Sequence, residues 1–193
     1  MKHILYLTRN GLLEPLGQSQ IFPYLKGLAT RVSITLISFE KPADWSDWHS
    51  RRRVQQQCQQ LGIRWIPLRF RPKPRPWAPA LAIPQLGLVA FWQWRRRRKP
   101  ELVHARSYVP AAIALLLHRL TGVPFIFDMR ALWPEELITA GHLRRGSWLH
   151  RTLFWLERRC LKEASGVVSL TDAAVSHLPV SYTHLTLPTI RLV

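Results

Sequence analysis

Cysteine is nearly absent. Cys58 and Cys160 are the only two; they lie far apart and belong to no CxxC pattern. That count and spacing argue against a disulfide framework or a zinc site and fit a reducing cytoplasm. Long apolar runs are missing too. No stretch reaches the roughly 18 consecutive apolar residues of a membrane span, so no transmembrane helix is expected. Met1–Thr8 is too short an apolar run for a signal peptide and carries no small-residue cleavage pattern. His118, His142 and His150 fall into no metal-ligand grouping, so no metal site is expected. No internal repeat is visible. Acidic side chains are scarce: 11 Asp and Glu stand against 28 Lys and Arg, giving a formal charge of +17. Such an excess bears on partners rather than on fold. The candidates are nucleic acid, an anionic membrane surface and phosphorylated small molecules, and composition does not choose between them.

What is present suffices for one sizeable domain. The chain has 193 residues, of which 47% are hydrophobic, with nine Trp and fifteen Pro. Strand and helix signals alternate. Apolar or β-branched runs predict strands at 3–8, 32–39, 63–68, 102–105, 125–127 and 166–170. Helical spacing predicts helices over 18–29, 43–60, 80–94 (with Pro84 inside), 110–120 and 148–164, the last with Leu149, Leu153, Leu156 and Cys160 on one face. A basic, proline-rich loop covers 69–76, and Thr171 or Asp172 caps another helix start. This order predicts an α/β fold, a Rossmann-like parallel sheet with helices on both faces. Ligands of such sheets bind at the carboxyl ends of the strands.

The tail stands apart. Val180 to Thr189 matches one reading frame of a transposon-end sequencing adaptor, and the adaptor's preceding bases complete a codon for Pro179. Residues 180–193 are therefore expected to be adaptor-derived and not a domain, with the natural reading ending near Pro179.

Four stretches could carry chemistry. The loop after the first strand holds Gly11, Gly17 and Gln18, and the N–H groups at Gln18 and Ser19 are expected to point out of a helix start. It reads equally as a diphosphate seat and as an ordinary strand-to-helix connection. It is neither GxGxxG nor a Walker loop. The fourth strand ends in His104 and Arg106, two apart and on one face. There Arg106 could pair an anion, or be a surface Arg beside a satisfied core His104. The fifth strand ends in Asp128, Arg130, Trp133 and Glu135. A carboxylate to orient a hydroxyl, a guanidinium to hold an anion and an indole to stack on a sugar would meet at the correct sheet edge, which favours function over an internal Asp–Arg pair. Lastly, Trp92 and Trp94 precede Arg95, Arg96, Arg97, Arg98 and Lys99. That pattern suits a headgroup interface, or a core helix with a solvated basic end. Nucleic acid is the least favoured partner, because no recognition-helix, finger or RNP-like pattern accompanies the charge.

Taken in order, Thr8-Arg9-Asn10-Gly11, Glu14-Pro15-Leu16-Gly17-Gln18-Ser19-Gln20, Leu102 to Ser107, Gly122 to Arg130, Trp133-Pro134-Glu135 and Ala164 to Thr171 resemble the N-terminal domain of family-4 glycosyltransferases. The resemblance covers residues 1–179. It implies the acceptor-side half of a two-domain GT-B fold, a retaining transfer from a nucleotide-sugar substrate to a glycan or lipid-linked acceptor, and no cofactor or bound metal. It implies that the glycine loop approaches the donor diphosphate through Gly11, Gly17 and Gln18. Many members carry a His at the end of the fifth strand. Asp128, followed by Arg130, stands there instead, so that role does not transfer unchanged, and Asp128 and Arg130 become the catalytic candidates. The family's Glu-x7-Glu motif and its phosphate-binding Arg/Lys pair belong to the other domain, so the fragment alone is expected to be inactive. Members that act on lipid-linked acceptors dock on the inner membrane face, which favours Trp92 to Arg98 as a peripheral membrane contact of a cytoplasmic protein. Two rivals remain. One is a basic membrane- or nucleic-acid-binding module without catalysis. The other is a dinucleotide-dependent protein with Glu40 as its only ribose-binding candidate.

Overall fold

The computed structural model describes residues 1–71, 78–169 and 189–191. The chain divides into two compact units, Met1–Val103 and His104–Val193. Strands and helices alternate through both, in a Rossmann-like α/β arrangement.

The first unit runs β1 (His3–Thr8), a π-helical turn (Gly17–Ile21) leading into α1 (Phe22–Ala29), β2 (Ser33–Glu40), α2 (Pro42–Ser46), α3 (Trp48–Gln60), β3 (Ile63–Arg69), α4 (Ala78–Trp94) and the start of β4 (Leu102–Arg106). Its strand order is β3-β2-β1-β4. β1 pairs with β2, and β2 with β3, in parallel. β2 is buried at every position after Ser33, as a strand covered on both faces must be. β3 alternates more and carries Pro67, which an outer strand tolerates because one edge has no ladder to lose. Tyr6, Leu12, Ile21, Leu25, Leu36, Val54 and Trp65 form the core of this unit.

The second unit runs from the end of β4 through α5 (Tyr108–Thr121), β5 (Phe125–Met129), α6 (Trp133–Thr139), α7 (Trp148–Glu163) and β6 (Gly166–Ser169) to β7 (Thr189–Arg191). Its strand order is β4-β5-β6-β7, with β5–β6 and β6–β7 parallel. α5 buries Ala111, Ala114, Leu115 and Leu117. It stops at Gly122, whose left-handed φ of 75° lets its N–H reach the His118 carbonyl at 2.7 Å.

Three expectations change. The single helix expected over 43–60 is two, because the Asp47 side chain takes the Ser50 N–H at 3.0 Å and starts α3 afresh. Residues 133–139 form α6, where a loop was expected: Pro134 suits a first turn, and Glu135 and Glu136 complement its dipole. α7 buries Glu157, Cys160 and Leu161, while Leu149 is 42% exposed, so its inner face is rotated from the stripe of leucines. The proline-rich loop beyond residue 71 and the helix start after Thr171 lie outside the described residues. So does the tail apart from β7. No described helix is long and apolar enough to cross a membrane.

Candidate functional site

Within the second unit, the carboxyl ends of β4 and β5 bring His104, Asp128 and Arg130 into contact. Asp128 is the penultimate residue of β5 and has no solvent exposure. Its Oδ2 lies 3.2 Å from His104 Nε2. Its Oδ1 lies 2.7 Å from Arg130 Nε, and Arg130 Nη2 donates to Oδ2 at 3.0 Å. One hydrogen bond, from Nη2 to Oδ2, and the close approach of Nε to Oδ1 join the guanidinium and the carboxylate as an ion pair. Burial pushes the Asp128 carboxyl up, but the hydrogen bond and charge of His104, with Arg130 behind them, outweigh it and hold its pKa below the ordinary value. The chain His–Asp–Arg runs outward from the interior. His104 is buried, and only the Arg130 side chain, 17% exposed, reaches solvent.

The end of β4 is built with strain. Arg106, its last residue, is 2% exposed. Ser107 follows at φ 76° and ψ 175°, the one non-glycine residue with positive φ among those described. That region is close to glycine-only. The Ser107 N–H donates to the Asp128 carbonyl at 2.8 Å, and its own carbonyl accepts from Ala111 N–H at 3.0 Å, opening α5. Tyr108 comes next and is buried; its hydroxyl meets the Glu157 carboxylate and lies 3.2 Å from the Ala131 carbonyl. Its ring packs edge-on against Phe127 and tilted against Trp133, with centroids 5.4 and 5.6 Å away.

In the first unit, the glycine loop is held by carboxylates. Leu12 and Leu13 N–H groups donate to Glu40 at 2.8 and 3.1 Å, and Ser38 Oγ donates to the same carboxylate at 2.6 Å. Gly11 N–H donates to Glu14 Oε1 at 2.8 Å, and Lys41 Nζ sits 2.7 Å from Glu14 Oε2. Gln18 Nε2 donates to the Leu12 carbonyl at 2.6 Å. A Cβ on Gly17 would stand 2.1 Å from the Gly11 carbonyl oxygen, so glycine there serves close packing of the loop on itself. The expected outward N–H at Gln18 is corrected. It donates to the Glu14 carbonyl at 2.9 Å, because helical bonding starts a turn earlier than the sequence pattern indicates. Glu40 is fully enclosed and occupied by the loop, which leaves no free acid for a ribose at the end of β2.

The profile of the glycosyl transferase 4-like domain matches residues 24–182. The chain belongs to that family. No curated protein matches it. Among solved structures, it is similar to sucrose-phosphate synthase from Thermosynechococcus elongatus (TM-score 0.63, 14% identity, covering 99% of this chain and 47% of that one). It is similar to a UGT transferase from Siraitia grosvenorii in complex with UDP (0.60, 14%, 100% and 51%). Medicago truncatula UGT71G1 complexed with UDP-glucose is a third (0.60, 10%, 100% and 51%). These likenesses show the glycosyltransferase fold. The chain spans about half the length of the structures it matches.

The remaining site candidates of this family member are spread out. Trp133 opens α6 and is half-buried against Tyr108; Glu135 pairs with Arg145 at 3.1 Å on the surface. Trp92 is 62% exposed, and the Arg96 guanidinium lies 4.6 Å over its ring. Trp94 stacks on Phe91 at 5.7 Å and receives Lys99 at 4.8 Å. Arg95, Arg97 and Arg98 are exposed beyond the end of α4. Sequence reasoning passed over Glu14, Lys41 and Glu157. Glu157 had a readable signal, an acid three residues before Cys160 on an otherwise apolar face. The pairing of Glu14 with Gly11 and Lys41 had none, since loop backbone direction decides it.

Proposed function

We propose that this chain is the acceptor-side half of a retaining glycosyltransferase that moves a sugar from a nucleotide-sugar donor to a glycan or lipid-linked acceptor. Family membership supports the reaction class, and the UDP and UDP-glucose bound in similar folds support a nucleoside-diphosphate donor. The observation that carries the reading is the His104–Asp128–Arg130 chain at the strand ends. Arg130, the member that meets solvent, would hold anionic or hydroxylic groups of a substrate. Asp128, wholly enclosed, would fix the guanidinium's direction and keep His104 in one orientation, acting through its partners. Arg106, Trp133 and Glu135 would line the acceptor side. Gly11 and Gly17 would serve the donor by letting the loop pack tightly; Gln18 would contribute by tying that loop through Leu12. No cofactor or metal ion enters this scheme.

The donor-binding half would lie beyond Pro179, residues 180–193 would be adaptor-derived, and the 193-residue chain alone would not turn over. Trp92, Trp94 and Arg95 to Arg98 would rest on the inner membrane face as a peripheral contact, bringing a cytoplasmic enzyme to a lipid-linked acceptor. Long-read sequencing across the codon for Pro179, followed by transfer assays with a panel of nucleotide sugars on the recovered protein, tests the scheme. A second Rossmann-like half with transfer activity lost in Arg130→Ala is the expected result. A folded full-length product that uses no nucleotide sugar, or turnover by the 193-residue chain, would refute it.

A further inference from the structure

At the opposite end of β1, inside the first unit, lies an open cleft of about 500 Å³. It is lined by His3, Thr35, Arg64, Trp92, Gln93 and the run Arg96 to Arg98, among others, and by no carboxylate. His3 is fastened by its ring: Nε2 meets Thr35 Oγ1 at 3.0 Å and Nδ1 meets the Arg98 carbonyl at 3.2 Å. Arg98 is tied at its tip to the Met1 carbonyl at 2.9 Å, and Arg96 rests on the Trp92 ring. Glu101, next to the cleft residue His3, accepts from the His3 backbone N–H at 3.2 Å. The Gln93 residue is only 4% exposed, yet its side-chain amide makes no hydrogen bond to any described residue.

Four guanidinium groups around one cleft repel each other unless something offsets them. Arg64 registers this: burial and then the Arg96 charge push its pKa down. Guanidinium forks with an amide donor among them are the donors that phosphate oxygens accept from. We propose that this cleft is a binding site for a diphosphate-bearing ligand, separate from the donor site. The separation follows from β1 itself: five residue steps from His3 to Thr8, at ~3.3 Å each, put about 16 Å between the cleft and the glycine loop. The ligand's phosphates sit between Arg64 and Arg96, with the Gln93 amide donating to them and the Trp92 ring forming one wall.

The 193-residue chain is titrated at physiological ionic strength with sodium pyrophosphate, and separately with phosphatidate and phosphatidylcholine vesicles, while the Trp92 indole N–H is followed by NMR. Saturable pyrophosphate binding that moves the Trp92 signal is expected. Arg64→Gln and Arg96→Gln should each weaken it about tenfold or more. Arg52→Gln and Arg53→Gln, equal losses of charge on α3, should change it by less than about twofold. Binding to phosphatidate vesicles alone, with the same variant pattern, would overturn the diphosphate assignment in favour of a single lipid phosphate. Equal weakening by all four variants would mean diffuse attraction to a highly basic chain and would overturn the site. So would an unmoved Trp92 signal, or no binding to either probe. Thermal melts of the variants guard against misfolding. Arg97→Gln, at an exposed lining residue, gives a further reading should Arg96→Gln unfold.

Discussion

Arg130 Nε stands 2.7 Å from Asp128 Oδ1, and of the two only the arginine reaches solvent. Removing the carboxylate leaves a mostly buried guanidinium without its counter-charge and takes from buried His104 the oxygen its Nε2 meets. Asp128→Ala should therefore lower stability by about 3–5 kcal/mol, read from urea denaturation. The pH dependence has a definite sign. Folding lowers this carboxyl's pKa, so its contribution is complete above the ordinary carboxylate range and is lost as pH falls through the lowered folded value. The wild type should lose stability on acidification below about pH 4 more steeply than Asp128→Asn. Equal slopes would rule out the pairing as the origin of that loss.

Gly17→Ala tests the packing of the glycine loop. The added methyl would meet the Gly11 carbonyl oxygen at 2.1 Å and the Leu12 Cα at 2.8 Å, both backbone atoms. A loss of about 1–3 kcal/mol or more is expected. Gly27→Ala, where a Cβ meets nothing within 4 Å, is the control and should be neutral or slightly stabilising.

Glu40→Ala should cost at least about 2 kcal/mol, since the Leu12 and Leu13 N–H groups and the Ser38 hydroxyl lose their acceptor together. Faster amide exchange at Leu12 and Leu13, measured by hydrogen–deuterium exchange, would accompany it. Burial raises the Glu40 pKa against those hydrogen bonds. Its share of stability is therefore greatest below the unfolded carboxyl pKa and declines as pH rises through the folded one, the reverse of Asp128.

Ser107→Gly should stabilise the fold by about 1 kcal/mol, because glycine adopts φ 76°, ψ 175° without the side chain's penalty. Ser107→Ala should give no such gain. If glycine does not stabilise the chain, the strain at the end of β4 is smaller than its dihedral angles indicate.

Cys58 and Cys160 should resist a disulfide reagent at pH 8 in the folded chain and react at once in denaturant. Burial raises both thiols to about 12, with acidic neighbours adding to it, and the thiolate is the reactive form.

The strand positions were legible because buried parallel strands must be apolar over several residues. Those of β1, β2 and β3 lie within one residue or so of the runs that predicted them. The position of Asp128 and Arg130 at the end of β5 was legible too, since the strand's apolar run stops just before them. α6 was passed over because Trp-Pro-Glu-Glu reads as a turn until Pro134 is placed at a first helical turn. The split at Asp47 was hidden because a capping side chain and an exposed helical one look alike in one dimension.

Sequence alone settled the class of fold, the alternation of its elements and the basic character of its surface, since hydrophobic periodicity and net charge are properties of the chain itself. Tertiary structure alone decided which carboxylates are enclosed and what each one holds. Asp128 meets His104 across the β4–β5 step, Glu40 receives the loop after β1, and Arg64 lines one cleft with the run Arg96 to Arg98. Asp128 with His104, Glu40 with the loop, and Arg64 with the run Arg96 to Arg98 each join residues whose separation along the chain says nothing of their separation in space. Strand register and loop closure set them, because a buried charge or N–H group must find its partner wherever the packed sheet brings one near.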